Sequence, residues 1–102
     1  MPDKVEKAKS MVWQIVHAIP EGNVATYGQV ARLAGMPQQS RMVGRILAGL
    51  PKGSKIPWHR VINSQGKISN PNPSRQIERL AAEGVVLLNG RVKLTTYQWQ
   101  PG

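Results

Sequence analysis

Apolar residues recur at helical intervals from the start of the chain: Val5, Ala8, Val12, Ile15, Val16 and Ile19 share one face of a 3.6-residue repeat. Asp3 and Glu6 have capping-box spacing ahead of that face, and Pro20-Glu21-Gly22-Asn23 stops it. Thr26, with Gln29 three residues on, is a second capping signal; Val30, Leu33 and Ala34 supply the stripe of a short helix, and Gly35 is its natural cap. After the connection Met36-Pro37-Gln38-Gln39, a further helix is expected from about Ser40 to Leu50. Its apolar side is Met42, Val43, Ile46, Leu47 and Leu50. Arg41, Gly44, Arg45 and Ala48 fall on the other face.

Beyond Leu50 the pattern is broken. Pro51 to Lys55 reads as a loop, Ile56 to Ile62 as an apolar segment interrupted by polar groups, and Asn63-Ser64-Gln65-Gly66 as a turn. Ser69 to Ser74, rich in Pro and Asn, is expected to be an irregular loop. Ile77, Leu80 and Ala81 mark a last helix ending near Gly84. Val85 to Leu88, then Asn89-Gly90, then Arg91 to Leu94 is a strong hairpin signal. Two short helices joined by a tight turn, the second with a small and basic outer face, read as a helix-turn-helix. An ordinary helical hairpin is the plainer alternative.

Charge favours the first. Fourteen Lys and Arg face five Asp and Glu, a formal net charge of +9 in 102 residues. So basic a small domain suits a polyanionic partner, most often nucleic acid. No apolar run approaches the roughly 20 residues of a membrane span. Met1-Pro2-Asp3-Lys4 opens no hydrophobic signal region, so an intracellular location without membrane contact is expected. With no Cys and only His17 and His59, no zinc site is expected. The scattered glycines form neither phosphate-binding motif, and no cofactor is expected.

Several segments resemble the C-terminal domain of the O6-alkylguanine-DNA alkyltransferases, in order and spacing, over roughly residues 10–88. They are Ile19-Pro20-Glu21-Gly22, Val24 to Ala31, Arg41-Met42-Val43-Gly44, Pro57-Trp58-His59-Arg60-Val61 and Glu83-Gly84-Val85. The family's acceptor motif reads Pro-Cys-His-Arg, and Trp58 stands at the Cys position. That replacement resembles the alkyltransferase-like proteins. The resemblance implies a single domain over residues 1–102, of α+β class and mainly helical, with a winged-helix-like helix-turn-helix. It also implies recognition of O6-alkylguanine in duplex DNA by nucleotide flipping, without enzymatic turnover, and hand-over to nucleotide excision repair proteins. A monomer is expected, cytoplasmic, or nuclear if the source is eukaryotic.

Carried over residue by residue, the resemblance gives Tyr27 the phosphate beside the target nucleotide, and a phenol can donate a hydrogen bond there. Arg41 matches the intercalating arginine, whose planar guanidinium can take the place of a flipped base. Gly44 and Ala48 let the helix approach DNA, with Arg45 beside them. Trp58 cannot accept an alkyl group under mild conditions, but indole can stack and line a lesion pocket shared with His59, Tyr27 and Arg75. His59 and Glu83 match the enzymes' proton-relay pair; without a thiol the pair is expected to be a structural hydrogen bond that holds the pocket, supported by Pro57 and Arg60. Leu50 stands where the family keeps a hinge Asn, and Ser69 to Ser74 replaces its Gly-rich loop. Two rivals remain: a dimeric regulator reading an operator, which leaves Pro57-Trp58-His59-Arg60 without a purpose, and an enzyme pairing Ser54 or Ser64 with His59, for which no nucleophile motif is present.

Overall fold

The computed structural model describes residues 4–69 and 73–101. The first helix, α1, is described over Lys4–Ala18. Ala8, Val12 and Val16 on it, with Ile19 just beyond, are all buried, as the repeat requires. The capping role of Asp3 lies outside the described residues. A two-residue strand, β1 (Ala25–Thr26), leads into α2 (Tyr27–Leu33). The second capping box is complete: the Gln29 backbone N–H donates to Thr26 Oγ1 at 3.0 Å, and the Thr26 N–H donates to Gln29 Oε1 at 3.4 Å. Gly35, at φ +77°, ends α2. Its N–H donates to Arg32 O and that of Met36 to Ala31 O, so the left-handed residue satisfies two carbonyls at the helix end.

The next helix, α3, spans Ser40–Ala48, two residues short of the expected end because Gly49 serves as its C-cap. It packs against α1 and α2 through Val43 and Ile46, joining Val12, Val16, Val30 and Ala31 in one core cluster. A single 3-10 turn, Trp58–Arg60, then enters β2 (Val61–Ile62). β2 pairs in parallel with β1, Ala25 opposite Val61 and Thr26 opposite Ile62. Successive strand residues face opposite sides. Ala25 and Val61 accordingly join the core of α1 to α3, whereas Val24 and Ile62 join a second cluster with Leu80, Val85 and Val92. The small sheet therefore ties the helix pair to the rest of the chain, a pairing the sequence pattern did not announce.

Helix α4 spans Pro73–Ala82. Pro73 and Ser74 are thus helical rather than part of an irregular loop, as suits a proline at a helix start, where no N–H is needed. The loop reading for residues 70–72 lies outside the described residues. The buried stripe of α4 also differs from expectation: Gln76 and Leu80 are buried, and Ile77 and Ala81 are exposed. A polar side chain takes the inward position because its amide is fully used, as described below. The hairpin forms with shorter strands, β3 (Leu87–Leu88) and β4 (Arg91–Val92), around Asn89 and Gly90, both at positive φ. Val85 is drawn into the core, where its N–H meets Leu80 O at 2.9 Å. Leu94 opens a last short helix, α5 (Leu94–Tyr97), instead of extending the strand. The C-terminal segment returns to the centre, where Trp99 N–H donates to Val24 O at 2.7 Å and Trp99 O accepts from Gln29 Nε2 at 2.7 Å. The architecture is mainly helical with two small sheets. No helix among the described residues is long and apolar enough to cross a membrane.

Candidate nucleic-acid interface

The capping box fixes where α2 begins, and so fixes Tyr27 as its first residue, half-buried against the core beside α3. On α3 the inward positions leave Arg41, Arg45 and Ala48 exposed. Between this helix pair and α4 runs an open groove of about 720 Å³. Its lining brings together Tyr27, Arg41, Gly44, Ala48, Trp58 and Arg75, residues far apart in the chain. Arg45 stands outside this lining, on the exposed side of α3.

Trp58 reaches the groove from the 3-10 turn, and α4 supports that turn from below. The buried amide of Gln76 donates to the carbonyls of His59 and Val61, each at 3.0 Å. Losing such a bond from a buried carbonyl typically costs about 1–3 kcal/mol. Gln76 is not marked by the apolar repeat of the helix, so the sequence pattern does not single it out. Its spacing of four from Leu80 was the available signal. Arg79, one turn further along α4, was also missed. Its Cζ lies 5.6 Å from the centroid of the Trp58 ring, over the indole face, and it lines the groove too.

His59 is not in this groove, contrary to expectation. Its ring is buried and turned to Glu83, and it lines a smaller cleft of about 210 Å³ with Pro57 and Arg60. Glu83 gathers four donors. His59 Nε2 lies 2.7 Å from Oε2; Arg60 Nε donates to Oε1 at 2.9 Å and Nη2 to Oε2 at 2.8 Å; the Gly22 N–H donates to Oε1 at 3.2 Å. Arg60 Nη1 donates in addition to Ile19 O at 2.8 Å. Burial pushes the Glu83 carboxyl upward, but the hydrogen bonds from Arg60, His59 and Gly22 outweigh it and lower its pKa to about 2. Burial is also the main influence on His59, holding it below its ordinary 6.5 despite the neighbouring carboxylate, with Arg60 and Arg79 adding repulsion. At neutral pH the ring is therefore uncharged, with Nε2–H donating to Glu83. Among the described residues, Nδ1 has no hydrogen-bond partner and no three His, Asp or Glu side chains gather as a metal site.

Residues 7–85 match the family model described as 6-O-methylguanine DNA methyltransferase, DNA binding domain. The DNA base-flipping protein of Escherichia coli (strain K12) is 52% identical over 103 residues, covering 95% of this chain and 80% of that protein. Alkyltransferase-like protein 1 of Schizosaccharomyces pombe is 38% identical over 107 residues, covering 96% of this chain and 99% of that protein. The chain belongs to the alkyltransferase-like proteins. The fold of this alkyltransferase-like protein superimposes with a TM-score of 0.90 on S. pombe Atl1 in complex with damaged DNA containing O6-carboxymethylguanine, at 37% identity, covering 99% of this chain and 100% of that one. Against Mycobacterium tuberculosis OGT in complex with DNA the TM-score is 0.70, at 31% identity, covering 74% of this chain and 48% of that one.

Proposed function

We propose that this alkyltransferase-like protein binds duplex DNA and recognises O6-alkylguanine by turning the damaged nucleotide out of the stack into the groove. The observation that carries this reading is the convergence of Tyr27, Arg41 and Trp58 on one groove in a chain of net charge +9. The helix pair α2–α3 acts as a helix-turn-helix seated on the DNA. Tyr27 meets a phosphate, Arg41 fills the gap left by the base, and Trp58 lines the pocket that receives it. Relatives named as a base-flipping protein and as bound to damaged DNA support the assignment.

The protein transfers no alkyl group. The sequence contains no Cys, and the buried, uncharged His59 bonded to Glu83 has no thiol to activate. Its product is a marked lesion, handed as a monomer on DNA to nucleotide excision repair inside the cell.

The test is a titration of one duplex with and without O6-methylguanine, beside an incubation with DNA labelled on the methyl group. Tighter binding of the modified duplex with no label on protein is expected. Equal affinity for both duplexes sinks lesion recognition, and covalent label on any side chain sinks the non-enzymatic reading.

A further inference from the structure

Helix α4 presents Gln76 and Arg79, at i and i+3, to the turn that carries Trp58, and Glu83 follows in the turn just past the helix end. Gln76 holds the backbone of that turn through the His59 and Val61 carbonyls. Glu83 holds the His59 ring and the Arg60 guanidinium. Between them, Arg79 meets the indole itself, with its Cζ 5.6 Å from the ring centroid. The His59 ring abuts the same indole edge-on, 6.1 Å away at 89°. No carboxylate among the described residues forms an ion pair with Arg79.

We propose that Arg79 is a positioning residue for Trp58: it braces one indole face by a cation–π contact and leaves the other free for a flipped base. The inference rests on the lesion-recognition reading above and adds a residue to it. A three-residue turn gives little hold on a large side chain half-exposed in an open groove. An indole free to change rotamer would have to be ordered at the moment of binding, which weakens recognition. Arg79 removes that freedom beforehand. Its own backbone is fixed to the same turn by Gln76 one helical turn away, so guanidinium and indole move together.

The test compares wild-type protein with Arg79→Gln, which keeps a polar stem but loses the charge, and Arg79→Lys, which keeps the charge. The first readout is the heteronuclear NOE of the Trp58 indole N–H, assigned among the three tryptophans with Trp58→Phe. The second is the ratio of affinities for O6-methylguanine and plain duplex. Arg79→Gln should lower the indole NOE and reduce the ratio about 2–5-fold, the size of one partly exposed cation–π contact. Arg79→Lys should retain most of both. An unchanged indole NOE in folded Arg79→Gln overturns the brace. Equal loss of affinity on both duplexes also overturns it, making Arg79 a phosphate contact. If wild-type protein shows no lesion preference, the function proposed above fails, and the indole NOE still decides the brace.

Discussion

A Cβ added at Gly44 would stand 3.9 Å from Cε1 of Tyr27, an ordinary contact distance. The close approach of α3 to α2 therefore does not require a glycine there. Gly in a helix interior costs about 1 kcal/mol relative to Ala. Since Gly44 also lines the groove, the small residue is explained by what the groove admits. Gly44→Ala should raise the unfolding temperature by about 4–8 °C, read in a thermal melt. Gly44→Leu should fold but bind duplex more weakly, because its side chain projects where DNA is expected to approach. Undiminished binding by Gly44→Leu in a duplex titration would show that α3 does not meet DNA at this turn.

Glu83 joins three parts of the chain: the turn at Gly22, the segment His59-Arg60, and its own turn just after α4. Replacing it with Gln leaves the largely buried Arg60 guanidinium without its counter-charge. Removing one partner of a buried pair typically costs about 3–5 kcal/mol. Denaturant unfolding of Glu83→Gln should show a loss near the lower figure, since the amide oxygen can still accept one bond. A loss under 1 kcal/mol, on the order of an exposed pair, would mean that the pair is solvated in solution.

The same cluster sets an acid limb of stability. Both groups titrate lower folded than free, so in each case the unfolded chain takes up its proton first as pH falls. The His59 contribution is complete above its ordinary 6.5 and is lost as pH drops below it. The Glu83 contribution is complete above 4.5 and is lost between there and about 2; the gap corresponds to about 3 kcal/mol. Unfolding free energies measured from pH 8 downward should therefore fall in two steps, and Glu83→Gln should remove the lower one. Stability that rises as pH drops from 7 to 5 contradicts the burial assigned to His59.

Much of this was legible in the residues and some was not, for physical reasons. The Thr26–Gln29 box, the Gly35 cap and the Asn89-Gly90 turn are local devices whose chemistry is written in adjacent residues, and each stands where the pattern put it. Non-local pairings carry no such signature. The parallel contact of Ala25 with Val61, and the return of Trp99 to Val24, depend on where distant segments meet. Hydrophobic periodicity passes over Gln76 and Arg79 for a related reason: one is a polar residue on a core face, marked only by its spacing from Leu80, and the other a cation on an aromatic ring. His59 stands outside the groove lining because its bond to Glu83 holds the ring in the smaller cleft, where it still meets the Trp58 indole in a T-shaped contact.

Arg41 is exposed on α3 and lines the groove opposite the Trp58 turn. If it fills the space of an extruded base, Arg41→Ala leaves a broken stack and an unpaired partner base, and extrusion becomes less favourable. A fluorescent base analogue at the lesion position brightens when unstacked. The variant should show a smaller rise at saturating protein while its melting temperature stays within a few degrees of wild type, as expected for an exposed side chain. Equal brightening would leave Arg41 as a phosphate contact at most.

Trp58 is the residue on which lesion discrimination, as distinct from DNA affinity, is expected to depend. It lines the groove from the 3-10 turn, with Arg79 over one face and His59 at its edge. Contacts between a base and an aromatic side chain are typically worth about 1–3 kcal/mol by alanine substitution. Phosphates are expected to be met by Tyr27, the helix pair α2–α3 and the basic surface, which the indole does not form. Trp58→Ala should therefore weaken binding to O6-methylguanine duplex by about 1–3 kcal/mol and affect plain duplex much less. Trp58→Phe, which keeps a smaller stacking surface, should fall between. The indole is only half-buried, so the loss of fold stability should be below the about 3–5 kcal/mol of a core Trp→Ala, and a thermal transition verifies that each variant is folded before titration. A folded Trp58→Ala protein that loses equal affinity for both duplexes makes Trp58 a support of the turn, and lesion discrimination must then come from Tyr27, Arg75 or the chain between Ser69 and Pro73.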